Sequence, residues 1–502
     1  MEINNRIRIW TMATFIVYSV ICILLAHFAG KKKEKGGFGK RFYAGGGNMN
    51  WLAAGMMLAA AACSGGTFLS NPGLAHSWGL MWPICMFFTV FTATISGIVI
   101  NKKLKIVCSR INAVSLGTAL KHRYGNNAFI GWYTPLSIMT FTGLFLYQQM
   151  TSGAKLMETV TGLPYVYGLA IFAFILLAYT LLSGAKGQSV VSIFQGFVMS
   201  LTTITLVIGL MIYVNGVWGN LEHAFKNLAE TSPSTLSPIA GFSFLILGSY
   251  LFQTGVSGAI GTKNVAQATK LGSSQSFHRS TILTIVFVGF WSMVMPTLGT
   301  IAKTVFPDVA SDSVIPYAAM IVLPPVLAGI VVSGVTAAIH STLAFNLLNV
   351  NSVVVMDLIG SQIMKDKATD KQLEKANSIV TIVLIGLMVL FAIKPPELIG
   401  TINNFSIAGG AAAFFIPMLF GVWWKRANKY GCIASMVVGI GYYLLSTAFP
   451  VLTAGVNPII LSLVFATAAM VIVSLVTPAP SDEVLDIWFG VGKSVHRANS
   501  AQ

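Results

Sequence analysis

Two hydroxyl side chains, those of Ser341 and Thr342, lie in the middle of a long apolar segment. On a helix they share one face with Ala338, because residues three and four positions apart lie above one another. Hydroxyl oxygens, together with backbone carbonyls released at a helix break, can bind sodium without a carboxylate. The same hydroxyls can instead bond to carbonyls one turn earlier in their own helix. The spacing alone favours this second interpretation and leaves the first open.

Glycines interrupt two apolar segments in a way that would release such carbonyls. The first break follows Ala60 and Cys63, which are one turn apart, and contains Gly66 and Thr67; the second lies at 253–261. Lipid cannot satisfy backbone groups freed at membrane depth, so breaks occur where they line a cavity or hold a ligand. Two interrupted spans in corresponding positions of two halves are typical of a secondary transporter with an inverted repeat.

Polar groups close to these breaks are the predicted substrate contacts. The positive end of a half-helix dipole can attract a carboxylate without a buried arginine or lysine. Amide side chains inside the spans can also simply bond one helix to another, so those nearest the breaks are preferred. The predicted substrate-binding residues are Gly66, Thr67, Gln149, Gln253, Ser257 and Asn404.

His340 lies beside the hydroxyl pair but points to the opposite side of its helix. A lone buried imidazole is usually a packing residue, and we favour that interpretation. The alternative is that it titrates near neutral pH and couples transport to protons. Neither an H-E-x-x-H motif nor a P-loop is present in the sequence, so no enzyme or ATP-driven pump is predicted.

Composition places the chain in a membrane. Of its 502 residues, 55% are hydrophobic and only 9% are charged, and the mean hydropathy is +0.76. The surface of a soluble domain needs more charge than this. The net charge of +16 lies in short loops between apolar segments, where topology and lipid headgroups explain it, so no nucleic-acid partner is predicted.

The apolar segments predict an all-α polytopic membrane protein with about thirteen transmembrane helices. The first segment, 7–29, is interpreted as a retained helix rather than a signal peptide, because it is long and has no convincing cleavage site. The predicted spans are 7–29, 49–70, 79–101, 128–153, 165–183, 189–214, 240–262, 280–306, 326–350, 377–393, 398–423, 430–449 and 457–477.

Basic residues alternate between the two sides of these spans. Most of the 31 lysines and arginines fall in one set of connections, including 31–41, 102–123 and 365–375. Because basic loops stay in the cytoplasm, this set is predicted to be cytoplasmic. The N-terminus is then outside and the C-terminus inside a bacterial inner (plasma) membrane.

Several short stretches carry a resemblance to the sodium:solute symporter family, over roughly residues 40–475. The stretches at 338–342 and 394–397 are among the most specific of them. The stretches that carry the resemblance are Arg-Phe-Tyr-Ala-Gly-Gly at 41–46, Arg-Ile-Asn-Ala-Val-Ser-Leu at 110–116, Ala-Ile-His-Ser-Thr at 338–342, Lys-Pro-Pro-Glu at 394–397 and Trp-Lys-Arg-Ala-Asn at 424–428.

The resemblance implies a five-plus-five inverted repeat of the LeuT type, with one extra helix before it and two after it. The implied divisions are 1–48, 49–214, 215–423, 424–477 and a tail at 478–502. It also implies a sodium site formed by carbonyls of Ala60, Cys63 and Ala338 and hydroxyls of Ser341 and Thr342. This set includes the residues that the helical spacing selected, so the sodium interpretation becomes the preferred one.

The resemblance further implies a sodium-coupled symporter for a small organic solute, such as the carboxylate pantothenate, in a lipid bilayer and with no obligatory protein partner. Where many relatives carry an acid before the position of Gln195, this chain has Ser192, which puts a second sodium site in doubt. Three alternatives stay open: proton coupling through His340, another solute such as a sugar, amino acid or monocarboxylate, and a membrane sensor that transports nothing.

Overall fold

The computed structural model describes residues 5–30, 37–47, 49–125, 127–239, 241–260, 268–271, 273–394, 399–453 and 455–490. Every regular element in these ranges is helical. The α-helices of four or more residues are α1 (Asn5–Gly30), α2 (Phe38–Tyr43), α3 (Trp51–Ala62), α4 (Asn71–Trp78), α5 (Met81–Phe87), α6 (Thr89–Ile95), α7 (Lys102–Ile111), α8 (Leu116–Tyr124), α9 (Ala128–Thr161), α10 (Tyr165–Trp218), α11 (Leu221–Thr231), α12 (Pro233–Leu236), α13 (Phe244–Gly255), α14 (Ser274–Lys303), α15 (Val314–Val322), α16 (Pro325–Ser352), α17 (Asp370–Ala392), α18 (Ile399–Trp423), α19 (Lys429–Ala448), α20 (Pro458–Val476) and α21 (Asp482–Phe489).

Ten helices in the described part of the chain are long and apolar enough to cross a membrane. An eleventh span is formed if Trp51–Ala62 and Gly66–Trp78, bent by 51°, are counted together. The two remaining predicted spans coincide with shorter apolar helices, Tyr165–Ala178 and Phe244–Ala259. The all-α membrane architecture is therefore confirmed, and the count of thirteen remains a prediction.

Gly184 separates two predicted spans that form one continuous helical element, α10. The backbone of Gly184 has φ 54° and ψ −179°, which is not helical, and residues other than glycine rarely adopt a positive φ. The predicted spans 165–183 and 189–214 are therefore joined by a short connection with a non-helical residue at Gly184.

Helix α16, which carries Ser341 and Thr342, is the central helix of the fold. It packs against α1, α3, α9 and α10. Within its most apolar stretch of 18 residues, 83% are buried inside the protein. Glycines permit the closest approaches: a Cβ on Gly329 would lie 2.5 Å from Thr14 Cβ, and one on Gly334 would lie 1.9 Å from Thr202 Oγ1. Small residues at helix crossings are how membrane helices pack without a hydrophobic driving force between them.

The bent pair α3–α4 lies between α16 and α14. A Cβ on Gly55 of α3 would contact Leu283 at 2.8 Å, and one on Gly299 of α14 would lie 2.1 Å from the carbonyl oxygen of Pro72. Both halves of the broken span are thus held closely by α14. The segment after the break also contacts α9, α16 and α18, and α16 carries the predicted ion ligands Ala338, Ser341 and Thr342.

The predicted tail contains a short helix, α21, that docks on the loop helices α7 and α8. Arg110 Nη1 donates to the carbonyl oxygen of Ile487 at 2.7 Å, and Trp488 Nε1 donates to His122 Nδ1 at 3.2 Å. These loops belong to the basic set, so we refer to this side of the protein as the basic end and to the other as the opposite end.

Candidate functional site

The first break begins where α3 ends at Ala62. Cys63 follows with φ −99° and ψ 85°, so its carbonyl leaves the direction of the helix axis. The chain then resumes as a wide turn, Gly66–Ser70, and continues into α4. Cys63 is fully buried, and its Sγ lies 3.9 Å from Ser292 Oγ on α14.

Backbone amides after this break have acceptors within the protein. Gly65 N donates to Gln149 Oε1 at 2.8 Å, Gly66 N donates to Ser64 Oγ at 3.0 Å, and Thr67 N donates to Ser64 O at 2.8 Å. Buried amides without acceptors would be costly, so these bonds stabilise the broken conformation. Gln149 therefore supports the break from α9 and does not line the cavity described below.

The hydroxyls of Ser341 and Thr342 lie against the carbonyls at the end of α3. Ser341 Oγ is 3.0 Å from Ala60 O and 3.1 Å from Ala338 O, while Thr342 Oγ1 is 3.4 Å from Ala60 O and 3.2 Å from Ala61 O. All of these residues are buried. The structure thus brings together four of the five predicted sodium ligands, those of Ala60, Ala338, Ser341 and Thr342.

This set of oxygens suits a hard monovalent cation. At 3.0–3.4 Å the two hydroxyls donate hydrogen bonds to these carbonyls. The bond from Ser341 to Ala338 O is the bond to the preceding turn expected in the alternative interpretation, whereas the bonds to Ala60 and Ala61 join two helices. Neutral ligands match a single positive charge, and no cluster of three or more His, Cys, Asp or Glu occurs among the residues the structure describes.

A cavity of about 290 Å³ lies beside the ion ligands, between the two breaks. Gly66 and Thr67 line it from the first break, and Gln253 and Ser257 line it from the second. Asn404 of α18 completes the set, so five of the six predicted substrate residues face one cavity. They come from segments far apart in the chain, which the repeat architecture brings together.

The remaining lining of this cavity combines apolar and aromatic side chains with neutral polar ones, and none of the described lining residues is charged. Sequence reasoning did not select Ser64 or Asn403, which both line it. Asn403 is 9% exposed, and its Oδ1 has no hydrogen-bond partner in the described part of the chain. Buried acceptors of this kind are usually satisfied, so Asn403 Oδ1 is available to a donor group of a bound solute. Ser64 adjoins the break and could have been chosen from sequence, whereas nothing local distinguishes Asn403 from Asn404.

The second break is held by side chains from other helices. Thr254 Oγ1 donates to the carbonyl oxygen of Cys85 at 2.8 Å, and Gln253 Nε2 donates to the carbonyl oxygen of Asn404 at 3.3 Å. Ser257 Oγ donates to Gln253 O at 2.6 Å within the same segment. Residues 261–267, which include the end of the predicted span 240–262 and of the predicted break, lie outside the described residues.

His340 packs away from the ion ligands. Its ring lies against Phe172 of α10, with ring centroids 4.6 Å apart, and the residue is only 2% exposed. The expectation that it faces the other side of the helix from Ser341 and Thr342 agrees with this placement.

Lys270 is a buried cation next to the cavity at the basic end. Its Nζ lies 5.0 Å from the centre of the Phe345 ring, and Phe345 lines the cavity one turn beyond Ser341 and Thr342. Burial disfavours the charged ammonium and lowers the pKa of Lys270 to about 7. Lys270 therefore places beside Phe345 an amine that burial shifts toward its neutral form.

Comparisons with known proteins agree with this geometry. A model of the sodium:solute symporter family matches residues 42–439. The sodium/pantothenate symporter of Haemophilus influenzae is 29% identical over 463 residues, covering 91% of this chain and 94% of the relative. The protein of the same name from Escherichia coli K12 is 29% identical over 469 residues, with the same coverage. The sodium/proline symporter of Staphylococcus aureus is 26% identical and covers 85% of this chain and 84% of its own.

Solved structures with the same fold are also sodium-coupled or cation-coupled transporters. The substrate-bound, outward-open structure of a Na⁺-coupled sialic acid symporter aligns with a TM-score of 0.79 at 16% identity, covering 94% of this chain and 99% of that one. Mhp1, a nucleobase-cation-symport-1 family transporter, aligns with a TM-score of 0.55 at 14% identity, covering 87% and 95%. At these identities the likeness shows the fold, and it agrees with the LeuT-like architecture implied by the sequence.

Proposed function

Since the chain belongs to the sodium:solute symporter family, we propose that it couples the entry of sodium to the uptake of pantothenate or a closely similar hydroxylated monocarboxylate. Sodium is carried as a co-substrate, as the family description states. The solute is our proposal, and it starts from the two pantothenate symporters that match over most of both chains. The observation that carries it is the uncharged, hydrogen-bonding cavity directly beside the hydroxyls of Ser341 and Thr342.

The chemistry of the cavity supports this solute class. Pantothenate carries hydroxyl groups and an amide as well as a carboxylate, and it therefore needs both donors and acceptors. Hydroxyls such as those of Ser64 and Thr67 supply donors, and Asn403 Oδ1 supplies an acceptor. The amides of Gly66 and Thr67 already have acceptors, so the carboxylate would be stabilised by hydroxyls and by the dipole of the helical segment that starts there.

Coupling follows from the first break, which contributes to both sites. Ala60 offers its carbonyl to the ion, and seven residues later Thr67 lines the solute cavity. Sodium bound between Ala60 and Ser341 would fix the end of α3 against α16 and thereby order the cavity wall. A solute that needs this wall in place then binds more tightly when sodium is present, and the reverse holds by linkage.

Membrane orientation is part of the proposal. Basic loops are retained in the cytoplasm, so the basic end would face the cytoplasm and the opposite end the outside of the plasma membrane. The N-terminus would then be outside and the C-terminus inside. Solute enters from the opposite end and leaves at the basic end.

Uptake into proteoliposomes tests the proposed function directly. We expect labelled pantothenate to accumulate when sodium is higher outside than inside, and not when sodium is replaced by choline. Proline, a sialic acid and a neutral sugar serve as comparison solutes. Sodium-driven uptake of one of these without pantothenate uptake would contradict the proposed solute, and no sodium-driven uptake of any of them would favour a sensor.

Proton coupling is the second candidate mechanism, and His340 is the residue that would carry it. Its ring packs on Phe172 and lies away from the ion ligands, so we expect His340→Gln to leave the pH profile of uptake unchanged. Uptake driven by a pH gradient without sodium, and lost in His340→Gln, would reverse this preference.

A further inference from the structure

Gln253 marks the end of the cavity that is farthest from the basic loops. It is the first residue of α13 to line the cavity, and the earlier residues of this helix, including Tyr250, pack instead on α4 and α5. Its side chain is 5% exposed and has partners at both ends. Gln253 Oε1 accepts from Asn457 Nδ2 at 2.6 Å, and Gln253 Nε2 donates to Asn404 O at 3.3 Å.

Asn457 approaches from outside the region that defines the family. It precedes α20 and lies beyond residue 439, where the family match ends. Asn457 Oδ1 accepts from Ile459 N at 3.2 Å and so caps the start of α20. One side chain therefore joins an appended helix to the second break.

Hydrogen bonding fixes the orientation of both amides in this chain of contacts. The cap requires the oxygen of Asn457 to face the amide of Ile459, which turns its NH₂ group toward Gln253. Gln253 must then present its oxygen to Asn457 and its NH₂ group to the carbonyl of Asn404. Reversing either amide would place donor against donor or acceptor against acceptor, so the arrangement has one consistent solution.

Before Gln253, aromatic side chains that do not line the cavity also hold α13 in place. Trp78, Trp82 and Tyr250 pack together, with Trp78–Trp82 and Trp82–Tyr250 ring centroids 5.2 and 5.5 Å apart. Phe242 joins them at 5.5 Å from Trp78. These contacts hold α13 against α4 and α5, while the Gln253 contacts hold it against α18 and α20.

We propose that Asn457 is a positioning residue that acts through Gln253 to keep α13 against α18 and so closes the opposite end of the cavity. Opening that end during transport requires the bond between Asn457 and Gln253 to break. The side of the membrane that this end faces rests on the proposed function; the closing role itself does not.

Thiol labelling tests this role without knowledge of the solute. All five native cysteines are buried, so Thr89→Cys, on the half-exposed cavity residue that starts α6, supplies an accessible reporter. The measurement is the rate at which a membrane-impermeant maleimide, applied from the side of the opposite end in oriented vesicles, labels this cysteine. Asn457→Ser is the variant, because serine is a good cap for α20 but is too short to reach Gln253.

We expect Asn457→Ser to raise the labelling rate about fivefold, which corresponds to about 1 kcal/mol in the closed–open equilibrium. Gln253→Met should raise the rate at least as much, because it also removes the bond to Asn404 O. The double variant should match Gln253→Met, because Asn457 acts through Gln253. The matched control is Asn127→Ser, which changes another helix-capping asparagine whose side chain bonds only to Phe129 N. Within the described residues this asparagine has no bond to the cavity, so the labelling rate of the control should equal that of the parent.

An unchanged labelling rate in Asn457→Ser would overturn the proposal, and so would additive increases in the double variant. Pantothenate uptake is measured on the same vesicles as a separate readout. If the parent takes up no pantothenate, the proposed solute fails while the labelling comparison still decides the role of Asn457.

Discussion

The two helix breaks that face the cavity are supported in different ways. At the first, the amides of Gly65, Gly66 and Thr67 are bonded to Gln149 and to Ser64, one side chain from α9 and one residue of the break itself. At the second, the side chains of the broken segment reach out to other helices, as Thr254 does to Cys85. The first break is thus stabilised through its own backbone amides, and the second through side chains that bond to neighbouring helices.

The space around the glycines of the two breaks also differs. A Cβ on Gly65 would meet Ile339 at 2.8 Å and Gln149 Oε1 at 2.9 Å, both tighter than side chains tolerate. A Cβ on Gly255 or Gly258 would meet its nearest neighbours at 3.5 and 3.4 Å, which is ordinary contact. The first break therefore has little freedom, as an ion site with fixed ligand positions requires, whereas the second can shift by exchanging side-chain contacts. This contrast agrees with the proposals that the ion binds at the first break and that the second break moves.

Removing both hydroxyls of the ion site should give the largest effect. Ser341→Ala together with Thr342→Ala deletes two oxygens that face Ala60 in a site with little water. We expect the sodium concentration for half-maximal uptake to rise at least about tenfold, which is about 1.4 kcal/mol. Ser333→Ala is the control, because Ser333 lies on the same helix and, within the described part of the chain, its hydroxyl bonds to the carbonyl of Gly329 alone. Equal sodium dependence in a well-folded double variant and this control would refute the assignment.

Alanine substitutions at Gly65 and Gly258 should give a smaller effect, and the effect should differ between the two breaks. Gly65→Ala must displace Gln149 or Ile339 and disturbs the acceptor of the Gly65 amide. Overpacking of this kind costs about 1–3 kcal/mol, so sodium affinity should fall about tenfold and the melting temperature in detergent should drop. Gly258→Ala, which adds only ordinary contacts, should stay within about threefold of the parent in both measurements. Equal losses at the two glycines would show that the breaks do not differ as described.

The sequence predicted the rigid break better than the mobile one, for a physical reason. Helical spacing places Ser341 and Thr342 on one face and paired glycines mark the break, so local patterns were sufficient to select these candidates, and the family resemblance then made sodium the preferred interpretation. Gln149 and Gln253 have no such local pattern. Their partners, Gly65 and Asn457, lie 84 and 204 residues away in the chain, and only the tertiary packing decides which amide supports a break and which faces the cavity.

The smallest expected effect concerns membrane potential, because we propose an ion site at the first break alone. Ser192, where many relatives carry an acid, is fully buried and uncharged. Gln188 Nε2 lies 3.4 Å from Ser192 Oγ and 3.4 Å from the carbonyl oxygen of Ser341, so this position adjoins the sodium ligands without adding a charge. We therefore expect a single sodium ion to accompany each solute molecule.

One monoanionic pantothenate and one sodium ion carry no net charge, so the uptake rate should respond to the sodium gradient but hardly to voltage. Each uncompensated charge would instead gain about 2.3 kcal/mol per 100 mV. The measurement is pantothenate uptake at a fixed sodium gradient, with potassium and valinomycin setting the potential. A strong increase at an inside-negative potential would mean that at least two cations travel with each solute. A second ion site would then exist, either beside Ser192 or at the second break, and ion binding could no longer be attributed to a single site at the first break.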